Sequence, residues 1–410
     1  MSNTTLKGIK VVELGTHVAI PYFTRVLGDW GAEVIKIEPP KGESYRTVGM
    51  LFRLPYEEDC NVPFIPYNIN KKSLSLNLKK KESVEVLLKL LEGADIFATN
   101  TRPAALEKMG LGLDTLKERF PHLIITHLNG FGEKGAEKDR PGFDAAAYWC
   151  RSGVLREWTN EEDRPFKPFY GSGDAVTSTQ LLAGTMAALY NRDRTGKGDL
   201  IKVSLFSSGL WSNVMGIMRG QEQFGQTLPL SRTTPLLPLD NFYETKDGKW
   251  ILISEEFWDK KCGAYFDILG KPEMKDNSDY NSLFGAIVNT SELVEIFEKG
   301  FAQIDSKDLV EMLLRIDTVY EFIAHPSEVS KDQQAWDNDF LKEIEAQDGT
   351  KFVIPTNPIV FESQGAADCV MAPRLGENST DILKELGYSD GDIAAMIEEN
   401  CVFTGTGGLA

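Results

Sequence analysis

Residues 9–38, IKVVELGTHVAIPYFTRVLGDWGAEVIKIE, predict how the fold begins. Residues 9–14 form a short β-branched apolar run closed by Gly15, which is typical of a buried parallel strand. A helix is expected next, because Pro21 suits a first helical turn and the apolar residues after it end at two glycines. Residues 33–38 then alternate like a second strand. The stretch therefore predicts one strand–helix–strand unit of about thirty residues.

The same alternation continues along the first half of the chain. Further strands are predicted over residues 73–78, 95–99, 122–128 and 201–205, and further helices over residues 82–91 and 175–191. Strands that alternate with helices predict a doubly wound α/β domain, in which helices cover both faces of a parallel sheet. This large domain is expected to occupy residues 1–220.

A change in pattern marks a second domain. Residues 221–239 are rich in Gln, Thr and Pro and predict a linker. Residues 240–254 then predict a hairpin with a Lys-Asp-Gly turn, and charged helices follow, so residues 240–320 are expected to form a smaller α+β domain. Residues 321–410 begin as another linker and contain one more strand-like piece and a final helix.

Composition excludes several classes of function. The formal charge of −17 makes nucleic acid an unfavourable partner. Five scattered cysteines without a CxxC pair argue against a disulfide framework or a zinc site, and no metal is expected. No apolar run has the length of a signal peptide or a membrane helix, so a cytoplasmic protein is expected.

The strongest candidate for chemistry is Asp174, in FYGSGDAVTSTQLLAGTMAAL over residues 169–189. It lies between Gly173 and Ala175, directly before the predicted helix. One interpretation is structural: Asp174 caps the helix, while Gly171 and Gly173 shape the turn. The other is functional, because a carboxylate with an unperturbed pKa of about 3.9 is already ionised at neutral pH and can attack an acyl carbon without a general base.

Other catalytic and nucleotide-binding signatures are missing. The four histidines form no HxxxH or Ser/His/Asp-like pattern, and neither GxGxxG nor a Walker motif occurs. His127 lies in an apolar strand, which favours a structural role, whereas His17 follows the first strand and stays a candidate. Several basic residues near predicted strand ends are either solvated charges or a phosphate-binding group: Lys71, Lys72, Lys79, Arg102, Lys108 and Arg140.

Several motifs in a fixed order resemble the class III CoA-transferases. They are residues 8–46 with NKKSLSLNLK, NTRPAALEKMGL, RPGFD, GSGDAVTSTQLLAGTMAALYNRDRTGKG and LKELGY. The family includes formyl-CoA transferase, carnitine CoA-transferase and 2-hydroxyacid CoA-transferases, and the chain is most similar to the 2-hydroxyisocaproate and phenyllactate enzymes. The likeness extends from near the N-terminus to the last helix.

The resemblance implies a mechanism and a set of site residues. Asp174 falls on the family's nucleophile, which passes through mixed anhydrides and an aspartyl-CoA thioester, with Gly171 and Gly173 giving the thioester access to backbone N–H groups. Coenzyme A is a substrate, and no tightly bound cofactor is implied. The CoA-binding positions correspond to Val18, Ala19, Leu76, Asn77, Leu78, Lys79, Asn100, Thr101, Arg102, Lys108, Arg140, Gly142 and Phe143.

The resemblance also implies the architecture. Family members are interlocked homodimers in which both termini build a Rossmann-like large domain, so residues 321–410 are expected to return to it. The substrates would be an acyl-CoA, in the favoured case an enoyl-CoA, and a 2-hydroxy carboxylic acid.

Departures from the family pattern narrow the function. Formyl-CoA transferases carry a basic residue and a glutamine where this chain has Pro39 and Val18, and their glycine-rich lid has no counterpart, which disfavours oxalate and formate. Apolar residues at 18, 20, 22 and 23 indicate either room for a hydrophobic acyl group or buried packing. Phe143 stands where α-methylacyl-CoA racemases carry a histidine base, which disfavours that activity. Carnitine-like acids, dicarboxylates and a non-catalytic CoA-binding role stay open as alternatives.

Overall fold

The strands and helices occur in a regular order along the chain. A computed structural model describes residues 3–160, 163–224, 231–365 and 368–405. The strands are β1 (Lys10–Leu14), β2 (Glu33–Glu38), β3 (Tyr56–Glu57), β4 (Cys60–Asn61), β5 (Lys72–Leu76), β6 (Ile96–Thr99), β7 (Ile124–Asn129), β8 (Leu200–Ser204), β9 (Asp240–Glu244), β10 (Trp250–Ser254), β11 (Tyr320–Phe322), β12 (Leu341–Glu345), β13 (Lys351–Pro355) and β14 (Val402–Phe403). The helices are α1 (Ala19–Asp29), α2 (Gly49–Phe52), α3 (Ile65–Asn68), α4 (Lys81–Glu92), α5 (Pro103–Lys108), α6 (Leu113–Arg119), α7 (Val154–Glu157), α8 (Ser172–Thr195), α9 (Leu205–Ser212), α10 (Val214–Arg219), α11 (Trp258–Ile268), α12 (Leu283–Val288), α13 (Thr290–Phe301), α14 (Ser306–Ile316), α15 (Pro326–Val329), α16 (Gln333–Asp337), α17 (Ser379–Glu385) and α18 (Asp390–Glu398).

The main sheet has seven strands in the spatial order β14-β5-β2-β1-β6-β7-β8. All neighbouring pairs are parallel except β14 and β5. Val12 on β1 lies opposite Ile35 on β2 and Phe97 on β6. The chain builds outward from β1 to β5 and then returns to β6 on the other side of β1. This reversal leaves a crevice beyond the carboxyl ends of β1 and β6, where ligands bind in sheets of this type.

Alternating strand residues separate the two faces of the sheet. Val12 and Phe97 join an apolar core with side chains from α4, α6, α17 and α18. The neighbouring residue Glu13 points to the opposite face, where α1 and α8 pack against each other and against the strands. Helices on both faces and the parallel sheet confirm the predicted α/β class.

The chain divides into two compact units. The first comprises Met1–Val154, Lys167–Val214 and Asp332–Ala410, and the second comprises Leu155–Phe166 and Met215–Lys331. The predicted linker at 221–239 includes residues 225–230, which lie outside the described residues.

The second unit has its own sheet and core. The predicted hairpin is confirmed, since β9 pairs antiparallel with β10 and the sheet order is β11-β10-β9. Tyr243, Trp258 and Phe297 are completely or almost completely buried between this sheet and its helices. This packing gives the second unit an independent apolar core.

The first strand–helix–strand unit is also confirmed, as β1, α1 and β2. One prediction for the same sheet needs correction. The helix expected over residues 175–191 is longer and begins three residues earlier, as α8. No helix among the described residues combines the length and apolar character that a membrane crossing requires.

Candidate active site

A cavity of about 240 Å³ lies at the carboxyl edge of the main sheet. Loops after β1, β6 and β7 contribute residues 16–19, then 100, 102 and 103, then 129–130, and residues 138–144 also line the cavity. Asp174 from the start of α8 also lines this cavity. The strongest sequence candidate therefore has access to a site large enough for part of a ligand, at the switch point of the sheet.

Asp174 belongs to the first turn of α8. The N-cap is Gly171, which has a φ of +82°, so the predicted cap at Asp174 is wrong. A Cβ added to Gly171 would also come within 3.1 Å of Val18. Glycine suits the cap, because the left-handed backbone would strain most other residues and a Cβ would press against Val18. Asp174 follows at the third helical position, near the positive end of the helix dipole.

Gly173 brings α8 into close contact with a second carboxylate. A Cβ at this position would lie 2.2 Å from Oδ1 of Asp144 and 2.4 Å from the ring of Tyr148. Those distances are far below van der Waals contact. The second glycine of the motif therefore has a packing function in addition to any role towards a ligand.

Asp144 is the residue that the sequence interpretation missed. It is buried and lines the same cavity, and its Oδ2 accepts a hydrogen bond from the backbone N–H of Gly171 at 3.0 Å. An oxyanion would have to compete with Asp144 for that N–H group. The RPGFD motif drew attention to this turn, because Asp144 directly follows Phe143. The sequence could not reveal its role, because its hydrogen-bond partner Gly171 is 27 residues away.

The two carboxylates alter the acid–base properties of the site. Burial, together with the negative charge of Asp144, raises the pKa of Asp174 to about 7. Burial raises the pKa of Asp144 to about 6, against the effect of the backbone N–H groups of the α8 start. The expectation that Asp174 keeps an ordinary carboxyl pKa is therefore wrong. Its ionisation at neutral pH is partial rather than complete.

A buried ionic network fixes the loop after β1. His17 has a φ of +65°, and its backbone N–H donates to Oε2 of Glu43 at 2.7 Å. Glu43 forms an ion pair with Lys36 at 2.9 Å, and Lys36 forms another with Glu13 at 2.6 Å. The side chains of both pairs are inaccessible to solvent. These buried contacts hold the loop that carries Val18 and Ala19 into the cavity in a fixed position.

The structure brings together about half of the predicted CoA-binding residues. Those that line the cavity are Val18, Ala19, Asn100, Arg102, Arg140, Gly142 and Phe143. Asn100 joins two of the loops, because its amide donates to the Thr16 carbonyl at 2.9 Å and accepts from the Thr16 N–H at 3.1 Å. Arg102 is exposed and forms no ion pair with another described residue.

The remaining predicted positions lie outside the cavity lining. Leu76 belongs to the apolar core, and Asn77 donates its backbone N–H to Cys401 at 2.9 Å. Leu78, Lys79, Thr101 and Lys108 also lie outside this lining.

Lys71 and Lys72 are two of the basic residues that the sequence offers as possible phosphate ligands. Lys71 is instead buried and paired with Glu13 at 2.8 Å, and Lys72 pairs with Glu33 at 2.5 Å at the amino end of β2. Lys71 is therefore held inside the protein by Glu13, and Lys72 lies at the edge of the sheet opposite the cavity, so neither lines the cavity.

The structure shows which of the histidines and apolar residues named from the sequence reach the cavity and which are buried in the core. His127 is buried in β7, and its Nε2 lies 3.1 Å from the carbonyl oxygen of Thr101, in agreement with a structural role. His17 lines the cavity, where its Nε2 lies 3.2 Å from Oγ of Ser44. Ile20 and Phe23 are completely buried, so packing accounts for them, whereas Tyr22 is only partly buried.

Comparisons with known proteins identify the family of the chain. Residues 6–379 match the family model described as CoA-transferase family III. The chain is 38% identical over 385 residues to (R)-2-hydroxy-4-methylpentanoate CoA-transferase of Clostridioides difficile, with 94% of this chain and 96% of that protein covered. It is 32% identical over 403 residues to cinnamoyl-CoA:phenyllactate CoA-transferase of Clostridium sporogenes, with 97% of each chain covered.

Solved structures support the same assignment. A CAIB/BAIF family protein from Brucella suis superimposes with a TM-score of 0.83 at 26% identity, covering 94% of this chain and all of that one. The family match extends over most of the sequence, and the resemblance inferred from the motifs is confirmed. The chain belongs to CoA-transferase family III and is a CoA-transferase.

Proposed function

We propose that this enzyme moves CoA from an acyl-CoA, in the favoured case an enoyl-CoA, to a 2-hydroxy carboxylic acid, through covalent intermediates on Asp174. The observation that carries the proposal is the position of Asp174, in the first turn of α8 and on the surface of a cavity. The substrate classes follow from the relatives, whose names specify a 2-hydroxy acid and, in one case, an enoyl-CoA donor.

The first half of the reaction removes CoA from the donor. The ionised Asp174 carboxylate attacks the thioester carbonyl carbon, the C–S bond breaks, and CoA leaves as a thiolate. This produces a mixed anhydride between Asp174 and the donor acid. The thiolate then attacks the Asp174 carbonyl carbon, and the donor acid leaves as its carboxylate. The result is an aspartyl-CoA thioester, without net transfer of a proton.

The second half repeats these steps with the acceptor. The carboxylate of the 2-hydroxy acid attacks the aspartyl thioester and displaces the CoA thiolate, which gives a second mixed anhydride. The thiolate then attacks the acceptor's carbonyl carbon, and Asp174 leaves as a carboxylate. The new acyl-CoA is released, and the original carboxylate is regenerated. A single side chain therefore serves all four steps.

The protein groups around Asp174 fit this sequence. The first turn of α8 directs the positive end of its dipole at the reacting carboxylate, which favours the negative charge that develops on the carbonyl oxygen. Gly173 lets the start of α8 pack closely against Asp144 and Tyr148, which fixes the position of Asp174 in the cavity. Arg102 and Arg140 also line the cavity, and their positive charges support a role in binding the phosphates of CoA, although Arg140 is paired with Glu137 in the free chain.

A trapping experiment tests the covalent step. The enzyme is incubated with cinnamoyl-CoA, treated with hydroxylamine and analysed by peptide mass spectrometry. We expect a hydroxamate on Asp174 only when the acyl-CoA is present, and none on Asp144, the matched carboxylate of the same cavity. Asp174→Ala should still bind CoA but lose transfer. Transfer that proceeds while residue 174 stays unmodified would reject covalent catalysis.

The racemase alternative has a direct test. Phe143 lines the cavity, and a phenyl ring cannot exchange a proton with a substrate α-carbon. We therefore expect no deuterium incorporation when a 2-methylacyl-CoA is incubated with the enzyme in deuterium oxide. Exchange at a rate comparable to CoA transfer would favour the racemase.

The family resemblance also supports an interlocked homodimer. In the segment formed by α9 and α10, Trp211, Val214, Met215 and Met218 are all exposed in the single chain, with Trp211 78% exposed. Such a concentration of apolar surface is typical of an interface. Light scattering after size-exclusion chromatography should give twice the mass of the chain, and a monomer at micromolar concentration would contradict the proposal.

A further inference from the structure

His17 lines the same cavity as Asp174 but takes no part in the four steps proposed above. Its imidazole packs edge-on against Phe143, with 5.3 Å between ring centroids, and Phe143 also lines the cavity. The phenyl side chain is 64% exposed, so it is open to a ligand beside the imidazole. The two side chains therefore offer an apolar surface and a polar group next to each other on the cavity wall.

The loop after β1, which carries this histidine, packs against α8 on both sides of Asp174. Val18, the next residue, lies against Gly171, where a Cβ would come within 3.1 Å of it. One turn after Asp174, Oγ of Ser178 donates to the carbonyl oxygen of Ala19 at 2.7 Å and to that of Asp174 at 2.8 Å. Because these contacts lie before and after the reacting carboxylate, a ligand bonded to Asp174 is held beside this loop.

The two nitrogens of the His17 ring have different surroundings. Nε2 lies 3.2 Å from Oγ of Ser44, which restricts rotation of the ring. Nδ1 forms no hydrogen bond with any residue that the structure describes, and it is not one of the buried side-chain atoms that lack a partner. Nδ1 is therefore accessible to solvent, on a residue that lines the cavity, and a ligand can take the place of water there.

The imidazole of His17 is neutral at neutral pH. Burial lowers the pKa of His17, and the positive charge of Lys36 acts in the same direction. In a neutral imidazole one nitrogen donates a hydrogen bond and the other accepts one, so the role of Nδ1 is opposite to the role that Nε2 takes towards Ser44. A hydroxyl group can both donate and accept, and it can pair with Nδ1 in either tautomer, whereas a carboxylate can only accept.

The backbone of His17 is held in an uncommon conformation. Its φ of +65° lies in the left-handed region, which is uncommon for residues with a side chain and is concentrated at functional sites. The buried carboxylate of Glu43 fixes this conformation by accepting the backbone N–H at 2.7 Å. The imidazole is therefore oriented before a ligand binds, which favours selectivity.

We propose that His17 selects the acceptor acid, in that Nδ1 forms a hydrogen bond with the 2-hydroxyl group while the exposed ring of Phe143 packs against an apolar side chain. In the second mixed anhydride, the carboxyl carbon of the acceptor is joined to Asp174 through one oxygen. The 2-hydroxyl group is on the next carbon atom and must lie close to Asp174. This inference rests on the proposed function and adds the residue that distinguishes a 2-hydroxy acid from a simple fatty acid.

The test compares two acceptors that differ only in the hydroxyl group, 2-hydroxy-4-methylpentanoate and 4-methylpentanoate, with one acyl-CoA donor. The quantity measured is the ratio of the two kcat/KM values, because damage to the fold lowers both values together. His17→Phe keeps an aromatic ring and removes both nitrogens. We expect the ratio to fall about 3- to 10-fold, the effect of one hydrogen bond. His17→Gly, which suits the left-handed backbone, should give the same fall without backbone strain.

Two further variants serve as controls. Asparagine tolerates a left-handed backbone, and its amide carries a donor and an acceptor close to the Cβ, as Nδ1 is. His17→Asn should therefore keep the ratio within about twofold of the wild-type value. His122→Phe replaces a partly buried histidine that lies before β7 and outside the cavity lining, and it should leave the ratio unchanged.

The outcomes separate the two proposals. An unchanged ratio in His17→Phe and His17→Gly, or a wild-type enzyme that uses both acids equally well, would overturn the role of His17 while leaving the proposed function intact. A wild-type enzyme that transfers CoA to neither acid would overturn the proposed function and this inference together. Thermal melting shows whether each variant is folded.

Discussion

The buried carboxylate of Asp144 accepts a hydrogen bond from the N–H of Gly171, three residues before Asp174. This bond ties the loop after β7 to the N-cap of α8, and it places a second negative charge beside the proposed nucleophile. The same side chain therefore stabilises the start of the helix and opposes ionisation of the residue that the helix presents.

Removing the negative charge of Asp144 should shift the pH dependence of kcat/KM. Asp144→Asn keeps an oxygen that can accept the Gly171 N–H and removes the negative charge. We expect the pKa of Asp174 to fall, so the acidic limb of the kcat/KM profile moves to lower pH, with less than about a tenfold change at pH 8. Asp144→Leu, which has no acceptor, should lose activity at every pH. An unchanged profile in Asp144→Asn would show that the two carboxylates do not interact.

The wild-type profile should itself be unusual for a carboxylate nucleophile. Because burial and Asp144 raise the pKa of Asp174 to about 7, the protonated and unreactive form predominates below that pH. We expect kcat/KM to decline about tenfold per pH unit below pH 6 and to level off above pH 8. The acceptor acid, with an ordinary carboxyl pKa of about 4, stays ionised throughout. A profile that is flat from pH 5.5 to 8.5 would contradict the shift.

The close packing of Gly173 against Asp144 should leave no room for a side chain at position 173. Gly173→Ala places a methyl group 2.2 Å from Asp144, so the start of α8 must move. We expect a loss of about 2–4 kcal/mol in the free energy of unfolding, measured with urea, and a fall in transfer rate of more than about 100-fold. The control is Gly93→Ala, where a Cβ meets nothing within 4 Å. Comparable damage in both variants would show that the contact is unimportant.

The ionic network beneath the cavity should be important for stability. Lys36→Met removes one partner of two fully buried carboxylates and should lower the free energy of unfolding by about 3–5 kcal/mol. Lys72→Met breaks a partly exposed pair with Glu33 on the neighbouring strand and should cost less than about 1 kcal/mol. Urea denaturation measures both. Equal costs would mean that burial does not determine the strength of these pairs.

Arg102 offers a test of CoA binding. It is an exposed cation on the cavity surface without an ion-pair partner in the described part of the chain. We expect Arg102→Ala to raise the KM for acyl-CoA about tenfold, while the KM for the acid changes little. Lys117→Ala, which removes an exposed cation from α6, is the control. Equal increases in the KM for acyl-CoA and the KM for the acid would indicate damage to the fold instead of a lost phosphate contact.

Local patterns predicted much of the fold. The β-branched run before Gly15 and the alternating residues 33–38 correspond to β1 and β2, because strand periodicity depends on neighbouring residues only. The start of α8 was misplaced for a local reason as well. Aspartate is preferred at N-caps and glycine is poor within helices, yet Gly171 caps the helix and Gly173 lies inside it. A contact with Asp144, distant in sequence, overrides both preferences.

Properties that depend on burial could not be predicted. Lys71 has the sequence surroundings of a surface lysine, but strand order places it beside Glu13 in the interior. The flanking glycines made Asp174 a candidate, whereas its pKa depends on its burial and on the charge of Asp144, and both arise only in the folded chain.

The position of strand β14 at the edge of the main sheet affects how the chain folds during translation. It pairs antiparallel with β5, with Val402 opposite Leu76, and side chains from α17 and α18 fill the same apolar core as β1 and β2. During translation, the ribosome synthesises the first strands long before the residues that cover them. The nascent large unit must therefore keep part of its core uncovered until α17, α18 and β14 have been synthesised, and is a natural client for chaperones during that interval.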